Sequence, residues 1–448
     1  MVDVLSSFHE WLNGLIWGWP MIILLLGTGL YLTIITGAVQ FTRLGFALKE
    51  VLGKVFQEGT GEGTVTPFQA VSAALASTVG VGNIAGVATA IALGGPGALF
   101  WLILSGVLGM CTKFVEIAVS LRFRERDTDG TMRGGAMYIL SRGLGMPWLG
   151  SLFAVFTALA AFGIGNMVQA NSVSEVIESS FGLSPWITGA VLSVVAALVV
   201  LGGIRRIVEV TQVLVPVMCL LYMVSGLVIL VLNISSIPAN VALVLSSAFT
   251  GHGAAGGFAG AVVRDTIRYG VARGLFSNEA GLGSAPIVHA TAITDHPIRQ
   301  ATYGIFEVFV DTLLICPMTG LVILATGAWH SGLSGAALTG RAFQLALPGE
   351  WGHLLITIAI ATFAFSTLIG WAFYGETAAV YLFGARVARP YRVIWVVAAF
   401  IGAVSSLQVV WSVADTLNGL MAIPNLIAIL GCSALIRPMM KEFFSRRS

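Results

Sequence analysis

Two short stretches carry the residue types of a binding site inside otherwise apolar surroundings: residues 77–83, STVGVGN, and residues 277–283, SNEAGLG. Gly80 and Gly82 each disfavour a helix interior by about 1 kcal/mol relative to Ala, and they let the backbone leave helical geometry. Where a chain unwinds, the amides that begin the next half-helix are free, and its positive end stabilises a carboxylate. Carbonyls freed on the other side coordinate a hard cation such as sodium. The Thr78 hydroxyl and the side-chain amides of Asn83 and Asn278 add fixed polar groups. Together these groups describe a site for a small zwitterion and a cation. Glycines also let helices pack closely, the plainer reading for either stretch alone. The matched pair, each with an Asn, favours the site.

A third stretch, residues 363–371, FAFSTLIGW, offers the Ser366 and Thr367 hydroxyls from one helix, with Trp371 one turn later on a similar face. Such hydroxyls also bond back to their own helix carbonyls. Gln169 is a polar side chain late in an apolar run, a candidate substrate ligand or a link between helices. Lys113 and Glu116, spaced i,i+3, are expected to neutralise each other, and Glu307 and Asp311, spaced i,i+4, to place like charges on one face. Glu279 suits either holding the unwound turn or a proton or cation role. His289 reads as structural.

The elements that must hold these groups are membrane spans. Of the 448 residues, 57% are hydrophobic and 10% charged, against about 25% charged in soluble domains. A mean hydropathy of +0.91 and repeated long apolar runs indicate an all-α polytopic membrane protein. No basic run with interleaved aromatics suggests nucleic acid. The four cysteines are isolated, without metal-ligand spacing or a disulfide pattern. The first Lys or Arg is Arg43, so the charged start of a signal peptide is missing. Neither a phosphate loop nor a nucleophile elbow is found, which disfavours a primary pump and an intramembrane enzyme. An uncoupled facilitator and a non-transporting amino-acid sensor remain alternatives.

The pattern predicts about 11 transmembrane helices: 21–40, a broken span at 68–93, then 98–121, 149–171, 186–202, 210–232, a second broken span at 270–293, then 303–328, 353–383, 392–410 and 415–436. Five segments follow: an extra helix with a basic linker (1–60), a first five-helix repeat (61–232), an outer excursion (233–269), a second five-helix repeat (270–436) and a basic tail (437–448). The excursion includes an amphipathic surface piece at 257–269. With the amino terminus outside and the carboxyl terminus cytoplasmic, the outer loops hold only Arg264, Arg268, Arg273 and Arg341. Lys113 lies in a span, and the inner side takes the other eighteen of the 23 Lys and Arg, as cytoplasmic loops should. Leaving out the first helix, the halves have opposite topology, each led by a discontinuous helix. That 5+5 inverted repeat is the leucine-transporter architecture. In that architecture the eighth core helix faces the first, and sodium would sit among the Ser366 and Thr367 hydroxyls and carbonyls at Ala76, Val79 and Phe363.

Residues 80–101, GVGNIAGVATAIALGGPGALFW, residues 276–286, FSNEAGLGSAP, and residues 133–138, RGGAMY, resemble the signatures of the alanine or glycine:cation symporter family. The resemblance covers essentially the whole chain. It implies sodium-coupled uptake of alanine or glycine by alternating access, with protons in place of sodium in some members, in the plasma (inner) membrane of a prokaryote. It implies no enzymatic activity, no cofactor beyond the coupling ion, and no obligatory protein partner. It also implies that Thr78, Val81, Gly82, Gln169, Phe276, Asn278, Thr367 and Trp371 surround the amino acid, with the Asn83 amide beside them. One position departs: the family commonly has Thr where this chain has Val81, which leaves the backbone amides intact and removes a hydroxyl.

Overall fold

The computed structural model describes residues 14–250, 263–405 and 408–445, the side chains of 408–412 excepted. Among them, eight helices are long and apolar enough to cross a membrane, nine if the bent pair Pro67–Thr78 and Gly82–Gly94 is one span. Trp351–Phe383, the longest that is α-helical throughout, has 33 residues, about 50 Å at 1.5 Å per residue. Two of the expected spans fall outside that measure. Pro185–Val200 is only 16 residues long, and Val263–Asn278 carries Arg264, Asp265, Arg268 and Arg273.

The apolar pattern explains how the helices face. In Gly203–Leu232, Val213, Val217, Leu220, Val224, Leu227 and Val231 are exposed at helical spacing. Thr211, Val215, Met218, Tyr222, Ser225 and Ile229 are buried on the other side. An exposed stripe of aliphatic side chains suits lipid, not water. The core lies around Ala98–Arg122, which packs along both Val263–Asn278 and Pro297–Val308.

The ends of the two broken helices are tied together on the face that carries most of the basic residues. Val65 bridges Ala292 and Glu62 bridges Thr294, with Ile293 N donating to Val65 O at 2.8 Å and Thr64 N to Thr291 O at 2.7 Å. Arg124 donates to the carbonyls of Ala290 at 2.9 Å, Ala292 at 2.7 Å and Glu62 at 2.7 Å. The expected basic loop is a two-stranded hairpin, Glu125–Arg126 with Met132–Arg133. Buried Arg133 pairs there with Asp127 at 2.8 Å and Asp129 at 2.9 Å. Burial raises the Asp129 carboxyl, but the Thr131 amide and Arg133 outweigh it, so this acid titrates below its ordinary range.

Three expectations change. Part of the outer excursion is a helix, Ile237–Thr250. The surface piece at 257–269 lies outside the described residues up to 262, and from Val263 it runs unbroken into the second broken helix. A helix at Gly335–Ala346 was not anticipated; its glycines and Arg341 interrupt any apolar run.

Candidate functional site

The first break begins with a well-capped helix. Thr66 and Gln69 form a reciprocal box ahead of Pro67–Thr78. The helix stops at Val79, extended at φ −76°, ψ 91°. Gly82–Gly86 makes a π turn, and the second half leaves at 49°. Gly80 N donates to Asn83 Oδ1 at 2.9 Å, and Asn83 Nδ2 donates to Asp311 Oδ1 at 2.6 Å. Asn83 thus holds the turn to a neighbouring helix. Val81 and Gly82 open the second half, where amides have no acceptor one turn back.

Against this break lies the middle of Trp351–Phe383. Ser366 Oγ is 3.2 Å from Ala76 O and donates to Phe363 O at 2.8 Å, while Thr367 Oγ1 donates to Phe363 O at 3.0 Å. A Cβ on Gly80 would fall 2.5 Å from Thr367 Oγ1, so only glycine permits the approach. Val79, extended, turns its carbonyl off the helical direction. Back-bonding uses each hydroxyl's proton and leaves its lone pairs, so it is compatible with holding a cation. The donors gathered here are neutral oxygens. Among the described residues no group of three or more His, Cys, Asp or Glu could hold a metal.

The second break is Glu279 to Ser284. Glu279, Gly281 and Gly283 have φ of 55°, 94° and 80°, after which Ala285–His289 resumes. Asn278 Oδ1 accepts from Ala280 N at 2.9 Å. Gly281 N donates to Glu116 Oε1 at 2.9 Å, as does Asn425 Nδ2 at 2.5 Å. Glu279 accepts from Trp371 Nε1 at 3.2 Å and from the Ser284 hydroxyl.

Between the breaks is a cavity of about 20 Å³ whose walls include Thr78, Gly80, Val81, Gly82, Gln169, Phe276, Glu279, Thr367, Trp371 and Asn418. Two buried acceptors in its wall have no protein partner, Gln169 Oε1 and Asn418 Oδ1; Asn278 Nδ2 also has none, but that side chain lies against Gly109. Buried polar groups are ordinarily satisfied, so two acceptors left over in the wall suit a bound donor. Glu279 is the one ionisable group among the described walls.

The structure gathers the predicted residues Thr78, Val81, Gly82, Gln169, Phe276, Thr367 and Trp371 around one cavity. It sets Asn83 and Asn278 behind the walls, each bonded to a turn. The sequence reading missed Ser77, Ile164 and Asn418 as lining residues; for Asn418 the available signal was an amide inside an apolar run. The intramembrane charges also pair differently. Lys113 does not neutralise Glu116 but meets Glu307 at 3.2 Å. Glu307 also contacts His289 at 3.0 Å. His289 engages Gln300 through its other nitrogen at 3.0 Å. Asp311 shares no partner with Glu307; it accepts from Asn83, Ser277 and Thr312. A π turn at Phe309–Ile315 alters the spacing that would have stacked the two acids.

Known proteins share this sequence and fold. The sodium:alanine symporter family matches residues 2–448. A sodium/alanine symporter of Methanococcus maripaludis, AgcS, is 47% identical over 445 residues, covering 98% of this chain and 97% of the relative. A probable sodium/glutamine symporter of Bacillus subtilis, GlnT, is 38% identical over 448 residues, covering 99% and 91%. Among solved structures, a point mutant of the Eremococcus coleocola manganese transporter superposes with a TM-score of 0.52 at 15% identity, over 81% of this chain and 76% of that one. That likeness shows the fold alone. The chain belongs to the sodium:alanine symporter family, and it is a membrane transporter rather than an enzyme.

Proposed function

We propose that this chain takes up alanine or glycine together with sodium by alternating access. In this reading it sits in the plasma (inner) membrane of a prokaryote, with the amino terminus outside and the basic face cytoplasmic. The leucine-transporter arrangement of two inverted five-helix repeats gives the two broken helices matching places. The observation that carries the reading is the cavity between the breaks, where two unpartnered acceptors and the opening amides of a half-helix meet. A zwitterion answers both kinds of group. Its carboxylate takes the Val81 and Gly82 amides, with the Asn278 amide behind the wall, and its ammonium takes Gln169 Oε1, Asn418 Oδ1 and oxygens at Thr78, Phe276 and Thr367.

Phe276 and Trp371 wall off the side-chain space, and their bulk favours alanine or glycine over the glutamine of the Bacillus subtilis relative's name. Discrimination between alanine and glycine is modest, since one methyl is worth about 1–3 kcal/mol. Sodium takes the oxygens of Ala76, Val79, Phe363, Ser366 and Thr367. By bridging the first broken helix to Trp351–Phe383 it stabilises the arrangement that binds substrate, which is coupling by differential affinity for two states.

Glu279 gives proton coupling a foothold, as a carboxylate in the cavity wall. One experiment separates the readings: uptake of radiolabelled alanine into proteoliposomes under an inward sodium gradient, an inward proton gradient or none. Accumulation only with sodium, blocked by glycine and not by leucine or glutamine, is expected. Accumulation with protons alone moves the coupling to Glu279, and equilibration without accumulation makes the protein a facilitator.

A further inference from the structure

A second, larger cavity lies at the end of the molecule opposite the basic face. It holds about 440 Å³ and is formed where the end of Val168–Phe181, the helix Gly335–Ala346 and the first turns of Trp351–Phe383 meet. The far end of Trp351–Phe383 marks the basic face, since Glu376 there accepts from Arg392 Nε and Nη2 at 2.7 and 2.8 Å. Val81 lines both this cavity and the small one between the breaks, so the two adjoin at that residue.

Two opposite charges line the larger cavity, Glu175 and Arg341. Neither forms an ion pair or side-chain hydrogen bond among the described residues, whereas His353 on the same wall engages Gln344 at 3.3 Å. A guanidinium takes a carboxylate through paired N–H donors, and a carboxylate takes an ammonium. A ligand of one sign would be drawn to one of these groups and repelled by the other; a zwitterion satisfies both.

We propose that this cavity is a capture site for the zwitterion of the incoming amino acid, with Arg341 holding the carboxylate and Glu175 the ammonium before the substrate passes Val81. The inference rests on the amino-acid reading above. Both side chains are exposed, so each contact is screened and worth little alone. The site acts by raising the substrate concentration beside Val81, which lowers KM and leaves turnover at saturation unchanged.

The test is alanine uptake into proteoliposomes by the full chain, with KM and kcat measured separately. Arg341→Gln and Glu175→Gln are each expected to raise KM about two- to fivefold with kcat and sodium dependence retained. Gly340→Leu fills the cavity from a position where an added Cβ meets only Ile356 Cγ2, at 3.9 Å, and should do the same. The exchange of both charges, Glu175→Arg with Arg341→Glu, should recover KM, because a zwitterion binds in either direction, while thermal stability in detergent stays at the wild-type value in the single and double variants alike. Wild-type KM in both single charge variants, with wild-type alanine uptake present, overturns the capture site. Absence of wild-type alanine uptake overturns the substrate reading instead, and the same variants are then read with glutamine, which carries the same zwitterion.

Discussion

The two breaks solve one problem, an unwound backbone at membrane depth, with different chemistry. At the first, the contacts on the turn itself are neutral, and its one carboxylate, Asp311, reaches it only through Asn83. An Asn83 amide spans the turn, hydroxyls of a neighbouring helix approach it, and Asp311 anchors it from behind. The second is pinned by carboxylates, Glu116 on the Gly281 amide and Glu279 on Ser284 and Trp371, with three residues at positive φ. A buried charge with several hydrogen bonds is costly to disturb, whereas a hydroxyl or carbonyl contact is exchanged for a cation or water at small cost. The second break is therefore the fixed wall, and the first is the one a ligand can reshape.

The largest effect expected from that contrast is at Glu116. Glu116→Ala strands the Gly281 amide and one of the two Asn425 Nδ2 protons, the other keeping Gly281 O at 2.9 Å, at about 1–3 kcal/mol for a buried donor left unpaired. Thermal unfolding in detergent should fall sharply, with little folded protein recovered, while Glu116→Gln keeps an acceptor and much of the stability. Wild-type stability of Glu116→Ala would show that the second break is not pinned by this carboxylate.

At the first break the fold should survive and transport should fail. Gly80→Ala puts a methyl 2.5 Å from Thr367 Oγ1, so the two helices must part where sodium is proposed to bridge them. The expectation is a folded protein with sodium-driven alanine uptake reduced at least about tenfold, a loss of at least about 1.4 kcal/mol at the site. Thr367→Ala removes one proposed ligand and keeps the backbone. It should raise the sodium concentration for half-maximal uptake several-fold, with Thr367→Ser near wild type. Unchanged sodium dependence in Thr367→Ala removes the cation site.

Much of this contrast was legible in the sequence, because helix breaks depend on local residue types. Gly80 and Gly82 within an apolar run announce the first, and Gly281 and Gly283 the second. The Ser366 and Thr367 hydroxyls were legible too, as adjacent oxygens on one helix. Where side chains turn was not. Asn83 is engaged by Asp311 and Asn425 by Glu116, partners more than two hundred residues away. Local spacing also misjudged Lys113. The i,i+3 rule pairs it with Glu116, but Glu307 comes from a packed neighbour, and in a low-dielectric core the tertiary partner decides. Glu279 was recognisable as important, but its place in the cavity wall follows from its φ of 55°, which no local pattern reveals in a non-glycine residue.

The finest test concerns how far the first break extends. Gly86 closes the π turn with helical φ −66° and ψ −43°, and a Cβ there meets only Arg273 Cδ, at 4.0 Å. Gly86→Ala therefore adds no clash and gains about 0.5–1 kcal/mol of helix preference. If the rearrangement is confined to Val79, Gly80, Val81 and Gly82, the residue stays helical in every state and the gain cancels, leaving kcat and KM for alanine within about twofold, or about 0.4 kcal/mol. If instead the second half-helix unwinds past Gly86 during transport, the alanine stiffens a segment that must loosen, and kcat falls while alanine affinity is kept or improved. The first outcome makes the break a hinge of four residues between rigid halves; the second extends the responsive region into the π turn, and the contrast with the pinned second break becomes larger.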